Sequence, residues 1–142
     1  MKQCIIVVDD DRDDLDLTAD ALEHLKSDYE LLLCETAQQL IDAINQQSEM
    51  PLMILCDLNM PGRNGFDIRE QMLQVEHLRH KSVPFLYWST EASDEQIGRA
   101  YAGLAQGVFI KPSSMAGLTH LLSLMVHYWQ TSQQPKKEFN NK

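Results

Sequence analysis

At 142 residues the chain has room for one domain with a sizeable core, and 44% hydrophobic against 23% charged residues excludes a disordered class. A formal net charge of -9 excludes general attraction to nucleic-acid phosphates or anionic lipid, both of which need clustered Lys and Arg. Cys4, Cys34 and Cys56 lie in apolar stretches without metal-ligand spacing, no apolar run reaches the roughly 18 residues of a membrane span, and Met1-Lys2-Gln3-Cys4 lacks a secretory pattern; a cytoplasmic protein with reduced thiols, no membrane insertion and no direct nucleic-acid contact is expected.

Strand-like and helix-like segments alternate five times, which predicts an α/β fold: a five-stranded parallel sheet, doubly wound, with helices on both faces. Cys4 to Val8 is a short apolar run of the kind buried on both faces of a sheet. Leu15, Ala19, Leu22 and Leu25 then recur at helical spacing, and that helix is expected to end near Ser27. Tyr29 to Glu35 is leucine-rich, and Thr36 with Gln39 forms a capping-box pattern that opens a helix carrying Leu40, Ile41 and Ile44 inward. Leu52 to Cys56 predicts the third strand, and Asn59-Met60-Pro61-Gly62-Arg63-Asn64-Gly65 is dense enough in turn residues to be a functional loop.

Phe66, Met72, Leu73 and Val75 fit a third helix, and Pro84 introduces a fourth strand. Ser93 and Gln96 cap a fourth helix bearing Ile97, Ala100 and Tyr101, with Gly103 and Gly107 loosening its exit. A short fifth strand, Val108 to Ile110, precedes a helix with a Leu118, Leu121, Leu122, Met125 and Trp129 stripe. From Gln130 the sequence is polar, so the expected division is a domain over residues 1–129 and a disordered tail over 130–142.

Four of the strands run into polar stations: Asp9-Asp10, Asp57, Ser89 and Lys111. Parallel strands discharge their C-terminal ends along one edge, so these acids, a hydroxyl and an ammonium should converge in a site that suits a divalent cation and a phosphoryl group. Two carboxylates about 4 Å apart repel by roughly 4 kcal/mol at an effective dielectric of 20, which calls for a cation. Magnesium takes one or two carboxylates, retains waters and accepts phosphate oxygens, whereas a transition metal prefers His or Cys.

Other readings of the same residues fare worse. Residues 9–14 taken alone read as solvated acids near a helix N-terminus. Asp9, Asp11 and Asp13 imitate the start of a calcium loop, but Asp14 stands where Gly is required and Asp20 where the bidentate Glu belongs. The histidines at 24, 77, 80, 120 and 127 fall in predicted helices or a connection, which disfavours serine-hydrolase and zinc chemistry.

In order and spacing, Ile5-Ile6-Val7-Val8-Asp9-Asp10-Asp11, Leu55-Cys56-Asp57-Leu58-Asn59-Met60-Pro61-Gly62-Arg63-Asn64-Gly65, Ser89-Thr90 and Lys111-Pro112 resemble a response-regulator receiver domain of the CheY-like superfamily, the phosphoaccepting module of two-component signalling. The resemblance covers residues 1 to about 129 and implies a flavodoxin-like (βα)5 fold with strand order 2-1-3-4-5. It implies that Asp57 accepts a phosphoryl group from a sensor histidine kinase, a histidine phosphotransfer protein or a small phosphodonor. Magnesium, with manganese as an admissible substitute, would be held directly by Asp10, Asp57 and the backbone carbonyl of Asn59, and by Asp9 through water. Lys111 would pair first with Asp57 and then with a phosphoryl oxygen, Ser89 would move to bond another, and the Lys111-Pro112 peptide would be cis.

Some positions depart from the family pattern. Val108 stands where an aromatic rotamer switch is common, with Phe109 beside it, so the signal is expected to pass through Ser89 and the loop into the fourth helix. Thr90 is larger than the usual residue there and narrows access, while Asn59 and Glu91 flank the path of attacking water. The expected protein is a stand-alone phosphoacceptor rather than a conventional enzyme, a monomer or weak homodimer that switches contact with an unidentified downstream protein. A degenerate receiver acting as a phosphorylation-independent binding module is the alternative. A haloacid-dehalogenase-type phosphatase would need an acid two residues after the nucleophile, where Asn59 stands.

Overall fold

The computed structural model describes residues 3–25, 29–60, 63–74 and 82–134. In chain order these form β1 (Cys4–Val8), α1 (Arg12–Glu23), β2 (Glu30–Cys34), α2 (Ala37–Gln46), β3 (Met53–Asp57), a small hairpin pairing Asn59–Met60 with Arg63–Asn64, α3 (Gly65–Leu73), β4 (Phe85–Ser89), α4 (Asp94–Ala102), β5 (Gly107–Ile110) and α5 (Met115–Thr131). The five long strands make one parallel sheet in the order β2-β1-β3-β4-β5, the flavodoxin-like arrangement expected.

Strand alternation divides the core in two. Ile6, Val8, Ile54, Cys56, Phe85 and Tyr87 face α2, α3 and α4, while Ile5, Val7, Met53, Leu55, Leu86 and Trp88 face α1 and α5. Because both faces are covered, the central strands carry apolar side chains at every position up to the C-terminal edge, which is why they read as continuous runs. Among the described residues no helix is long and apolar enough to cross a membrane.

Local signals set the helix starts. Thr36 accepts from the Gln39 backbone as expected, but the Gln39 side chain accepts from Glu35 N rather than closing the box on Thr36. At α4 the box is complete, with Ser93 and Gln96 each satisfying the other's backbone N–H. The turn-rich segment becomes the small hairpin, and Asn64 caps α3 through Asp67 N. Helix α1 stops at Glu23; Ser27 and Val75 lie outside the described residues, as do Pro61 and Gly62. Helix α5 runs on through Gln130 and Thr131, beyond the point where the sequence turns polar, and Gln134 donates to the Leu52 carbonyl at 3.2 Å.

Gly65 marks a close approach beneath the sheet edge: a Cβ there would lie 2.7 Å from the Asp57 carbonyl oxygen and 2.9 Å from the Tyr87 ring. Neither can retreat, since Tyr87 is fully buried and Asp57 is in the sheet. Gly65→Ala should lower stability by about 2 kcal/mol, the scale of overpacking, as read from the urea unfolding midpoint. An unchanged midpoint would show that the loop yields freely.

Candidate functional site

Register brings the stations together. Val8 lies opposite Cys56, Asp57 opposite Trp88, and Ser89 opposite Ile110, so Asp9, Asp57, Ser89 and Lys111 emerge side by side at the C-terminal edge. The Lys111 backbone N–H donates to the Ser89 carbonyl at 2.7 Å, and the Asp9 N–H to the Cys34 carbonyl at 3.0 Å, fixing both main chains against the sheet. The Lys111 Nζ donates to Asp57 Oδ2 at 2.8 Å and to Asp9 Oδ2 at 3.1 Å. The same Nζ lies 3.6 Å from Asp14 Oδ2 and 5.2 Å from the Trp88 ring centroid.

Each carboxylate is held by local backbone. Asp57 Oδ1 accepts from Asn59 N at 3.0 Å, and Asp9 Oδ1 from Asp11 N at 2.9 Å. Asp11 is the N-cap of α1 and accepts from the N–H of Asp13 and Asp14. Asp14 therefore sits in the first turn, where side chains tilt back over the helix N-terminus, and it reaches the lysine from there.

Asp9 is 2% exposed and Asp57 6% exposed, so two acids and one ammonium share a site with little water. Burial pushes the Asp9 carboxyl up, and the nearby Asp57 charge adds to this; the Asp11 N–H and Lys111 oppose it. Burial works against the Lys111 charge, but its bonds to Asp57 and Asp9 and their charges outweigh burial and raise its pKa.

Oxygens of Asp9, Asp14 and Asp57 lie within 4.8 Å of one another, forming a group able to hold a metal ion. Three carboxylates against one ammonium leave an excess negative charge, and all the donors are hard oxygens, which fits a small divalent cation. Cys56 does not compete: it is fully buried, and burial together with the Asp57 charge holds its thiol protonated, well above its usual range. The resemblance implies Asp10 in the direct set. The structure leaves Asp10 half-buried and outside this three-carboxylate group, in which Asp14 stands.

The remaining expected positions divide. Ser89 is buried, and its Oγ accepts from Asn59 Nδ2 at 2.9 Å, while Thr90 and Glu91 are exposed at the rim. Val108 packs on the α4 side and Phe109 on the α5 side, so the aromatic ring belongs to the opposite face from α4. The Lys111-Pro112 peptide is trans, contrary to expectation, since there is no cis peptide bond among the described residues. The isomers of an X-Pro bond differ by only about 0.5–1 kcal/mol, and hydrogen bonds to Asp9 and Asp57 aim the lysine in the trans form.

A family model described as the response regulator receiver domain matches residues 5–123. The probable methanogenesis regulatory protein FilR2 of Methanothrix harundinacea (strain 6Ac) is 31% identical over 80 residues, covering 56% of this chain and 50% of that protein. The chain thus spans half the length of that relative. Response regulator Rcp1 of Synechocystis sp. (strain ATCC 27184 / PCC 6803 / Kazusa) is 22% identical over 130 residues, covering 88% of this chain and 87% of Rcp1. A Mn(2+)-bound form of Rcp1 superposes with a TM-score of 0.74, covering 94% of this chain and 99% of that one at 21% identity. The phosphorylated cyanobacterial phytochrome response regulator RcpA gives a TM-score of 0.79, with 95% and 99% coverage at 19% identity. These two likenesses establish the fold.

Proposed function

Because the chain belongs to the response-regulator receiver domain family, the signalling phosphoacceptors of two-component systems, we propose that it accepts a phosphoryl group on Asp57 and thereby switches its protein contacts. One observation carries this reading: Asp57, Asp9 and Asp14 surround a single half-buried ammonium, Lys111, at the C-terminal sheet edge, an arrangement with more negative charge than its own residues neutralise. Histidine kinases or histidine phosphotransfer proteins supply phosphoryl groups to the family, and a cytoplasmic location accords with such donors.

In the transfer, an oxygen of Asp57 forms a new P–O bond as the donor's P–N or P–O bond breaks. The leaving imidazole or carboxylate keeps the electron pair, and an acyl phosphate remains on Asp57. Lys111 shifts its ammonium from the carboxylate to a phosphoryl oxygen, and the Ser89 hydroxyl donates to another. Magnesium held by Asp57 and its neighbours Asp9, Asp10 and Asp14, with the Asn59 carbonyl, would supply the charge neutralisation that lets one anion attack another. Attack by water on phosphorus, past Asn59, Thr90 and Glu91, later breaks the Asp57 O–P bond, releases inorganic phosphate and regenerates the carboxylate. The product signal is a protein contact, for which exposed Tyr101, Ile110, Leu124 and Tyr128 offer apolar area around α4, β5 and α5.

Incubation with magnesium and a small acyl phosphodonor, followed by intact mass, tests the reading. A single phosphoryl adduct is expected on the wild type and none on Asp57→Asn. A folded wild type that takes up nothing would support a phosphorylation-independent binding module instead.

Divalent cation binding should also be visible without phosphate. Lys111 lies over the buried Trp88 ring, so drawing the carboxylates toward magnesium will alter the charge beside the indole. Titration with magnesium should change tryptophan emission in the wild type, and Trp88→Phe, which retains Trp129, should abolish the change. A response that survives Trp88→Phe would place the cation elsewhere.

A further inference from the structure

Both N–H donors and the carbonyl oxygen of the Asn59 carboxamide are engaged. Its Nδ2 donates to Ser89 Oγ at 2.9 Å and to the Glu91 carbonyl at 3.0 Å, and its Oδ1 accepts from Gln96 Nε2 at 2.8 Å. Gln96 in turn uses its Oε1 to accept from Ser93 N at 3.0 Å, closing the capping box of α4. One side chain on the first turn of α4, together with the Glu91 carbonyl, therefore fixes which way the Asn59 amide faces, and Asn59 fixes where the Ser89 hydroxyl sits. The chain of contacts is Gln96, Asn59, Ser89, and it ends at the phosphoryl pocket.

The direction of these bonds matters. With Asn59 as the donor, Ser89 Oγ serves as acceptor and retains its own proton for an incoming phosphoryl oxygen. Were the amide reversed, Asn59 Oδ1 would face Ser89 and compete for that proton, and it would also oppose the Glu91 carbonyl. A second acceptor at position 96 would repel Asn59 Oδ1 and favour this reversal against the hold of the Glu91 carbonyl.

We propose that Gln96 is a positioning residue for phosphoryl transfer at Asp57: by donating to Asn59 it holds the Asn59 amide in the orientation that leaves the Ser89 proton available. The same contacts give α4 a direct link to the pocket that does not pass through Val108. The proposal rests on Asp57 as phosphoacceptor.

Gln96→Glu isolates the effect. Glutamate retains the acceptor that caps α4, is equally at home in a capping box and suits a helix N-terminus, so the unfolding midpoint should hold or rise. It replaces the donor to Asn59 by a second acceptor and adds a negative charge that Gln96→Ala lacks. Two results are expected: a shift of the Asn59 side-chain amide resonances in the metal-free, unphosphorylated protein, and adduct formation from a small acyl phosphodonor slowed roughly fivefold, the scale of one hydrogen bond in the transition state. Gln96→Ala, which frees Asn59 without facing it with an acceptor, should fall between, and it carries the comparison if the glutamate variant does not fold. Adduct formation at the wild-type rate in a folded Gln96→Glu overturns the proposal whatever the resonances do. If the wild type takes up no phosphoryl group while the resonances still shift, it is the phosphoacceptor reading that has failed, and the role in transfer falls with it.

Discussion

Lys111→Met is expected to lower stability by about 3 kcal/mol near neutral pH in the absence of divalent cations, the scale of removing one partner from a buried ion pair. Methionine preserves the length and apolar stem of the side chain, so the loss reports the charge. Without the ammonium, Asp9 and Asp57 face each other in a site where both are nearly inaccessible. The pH dependence follows from the direction of each shift. Lys111 has a raised pKa, so its stabilisation is fully present below the ordinary lysine value of about 10.4 and is lost as pH rises through the higher folded value. Wild type and variant should therefore converge in strongly alkaline solution.

In acid the carboxylates govern the difference. Asp9 has a raised pKa, so its neutral form favours the fold at low pH, and that advantage disappears as pH rises through the folded value. Removing Lys111 raises that pKa further, and the deficit of the variant should shrink on acidification. Magnesium should restore more stability to Lys111→Met than to the wild type, because the cation takes the place of the missing charge. Urea unfolding at several pH values, with and without magnesium, checks all of this, and equal stability at neutral pH would mean that the three-way ion pair contributes nothing.

Asp9→Asn should act in the opposite sense. Like charges about 4–5 Å apart repel by roughly 3–4 kcal/mol at an effective dielectric of 20, and the shared Lys111 cancels most of it. Removing one of them should stabilise the metal-free protein by about 1 kcal/mol, since the asparagine oxygen still accepts from Asp11 N. The same change removes a charge from the cation group, and magnesium affinity read from Trp88 emission should fall about tenfold or more. A variant that is more stable and binds magnesium less well would show that the site holds its charge at the expense of the fold. A variant that is less stable would show that Asp9 serves the fold through Lys111.

Most of this arrangement is legible in the sequence because it follows from strand periodicity. Runs such as Ile5 to Val8 and Leu55 to Cys56 are apolar at every position only because helices cover both faces, and a parallel sheet then places Asp9, Asp57, Ser89 and Lys111 on one edge. What escapes the sequence depends on side-chain direction. Asp14 reads as one more solvated acid until Asp11 is seen to cap α1, which turns Asp14 back toward Lys111. A capping pattern three residues past Asp11 could have suggested it.

Contacts between remote segments are harder still. Gln96 is legible as a capping residue of α4, yet nothing local indicates that its other amide atom reaches Asn59. Arg69 lies buried with its guanidinium 4.7 Å from the centroid of the Phe85 ring, which only the packing of α3 on β4 determines. The Lys111-Pro112 isomer is likewise set by context rather than by the dipeptide.

The most direct test of Asp57 as the reactive group is to load the protein from an acyl phosphodonor with magnesium, reduce with labelled borohydride and map the label. An acyl phosphate is reduced where a phosphoserine or phosphothreonine ester is not, so label confined to the peptide bearing Asp57 is the expected result. Label on Asp9, Asp10 or Asp14 instead, or a phosphoryl group that resists reduction, would contradict it.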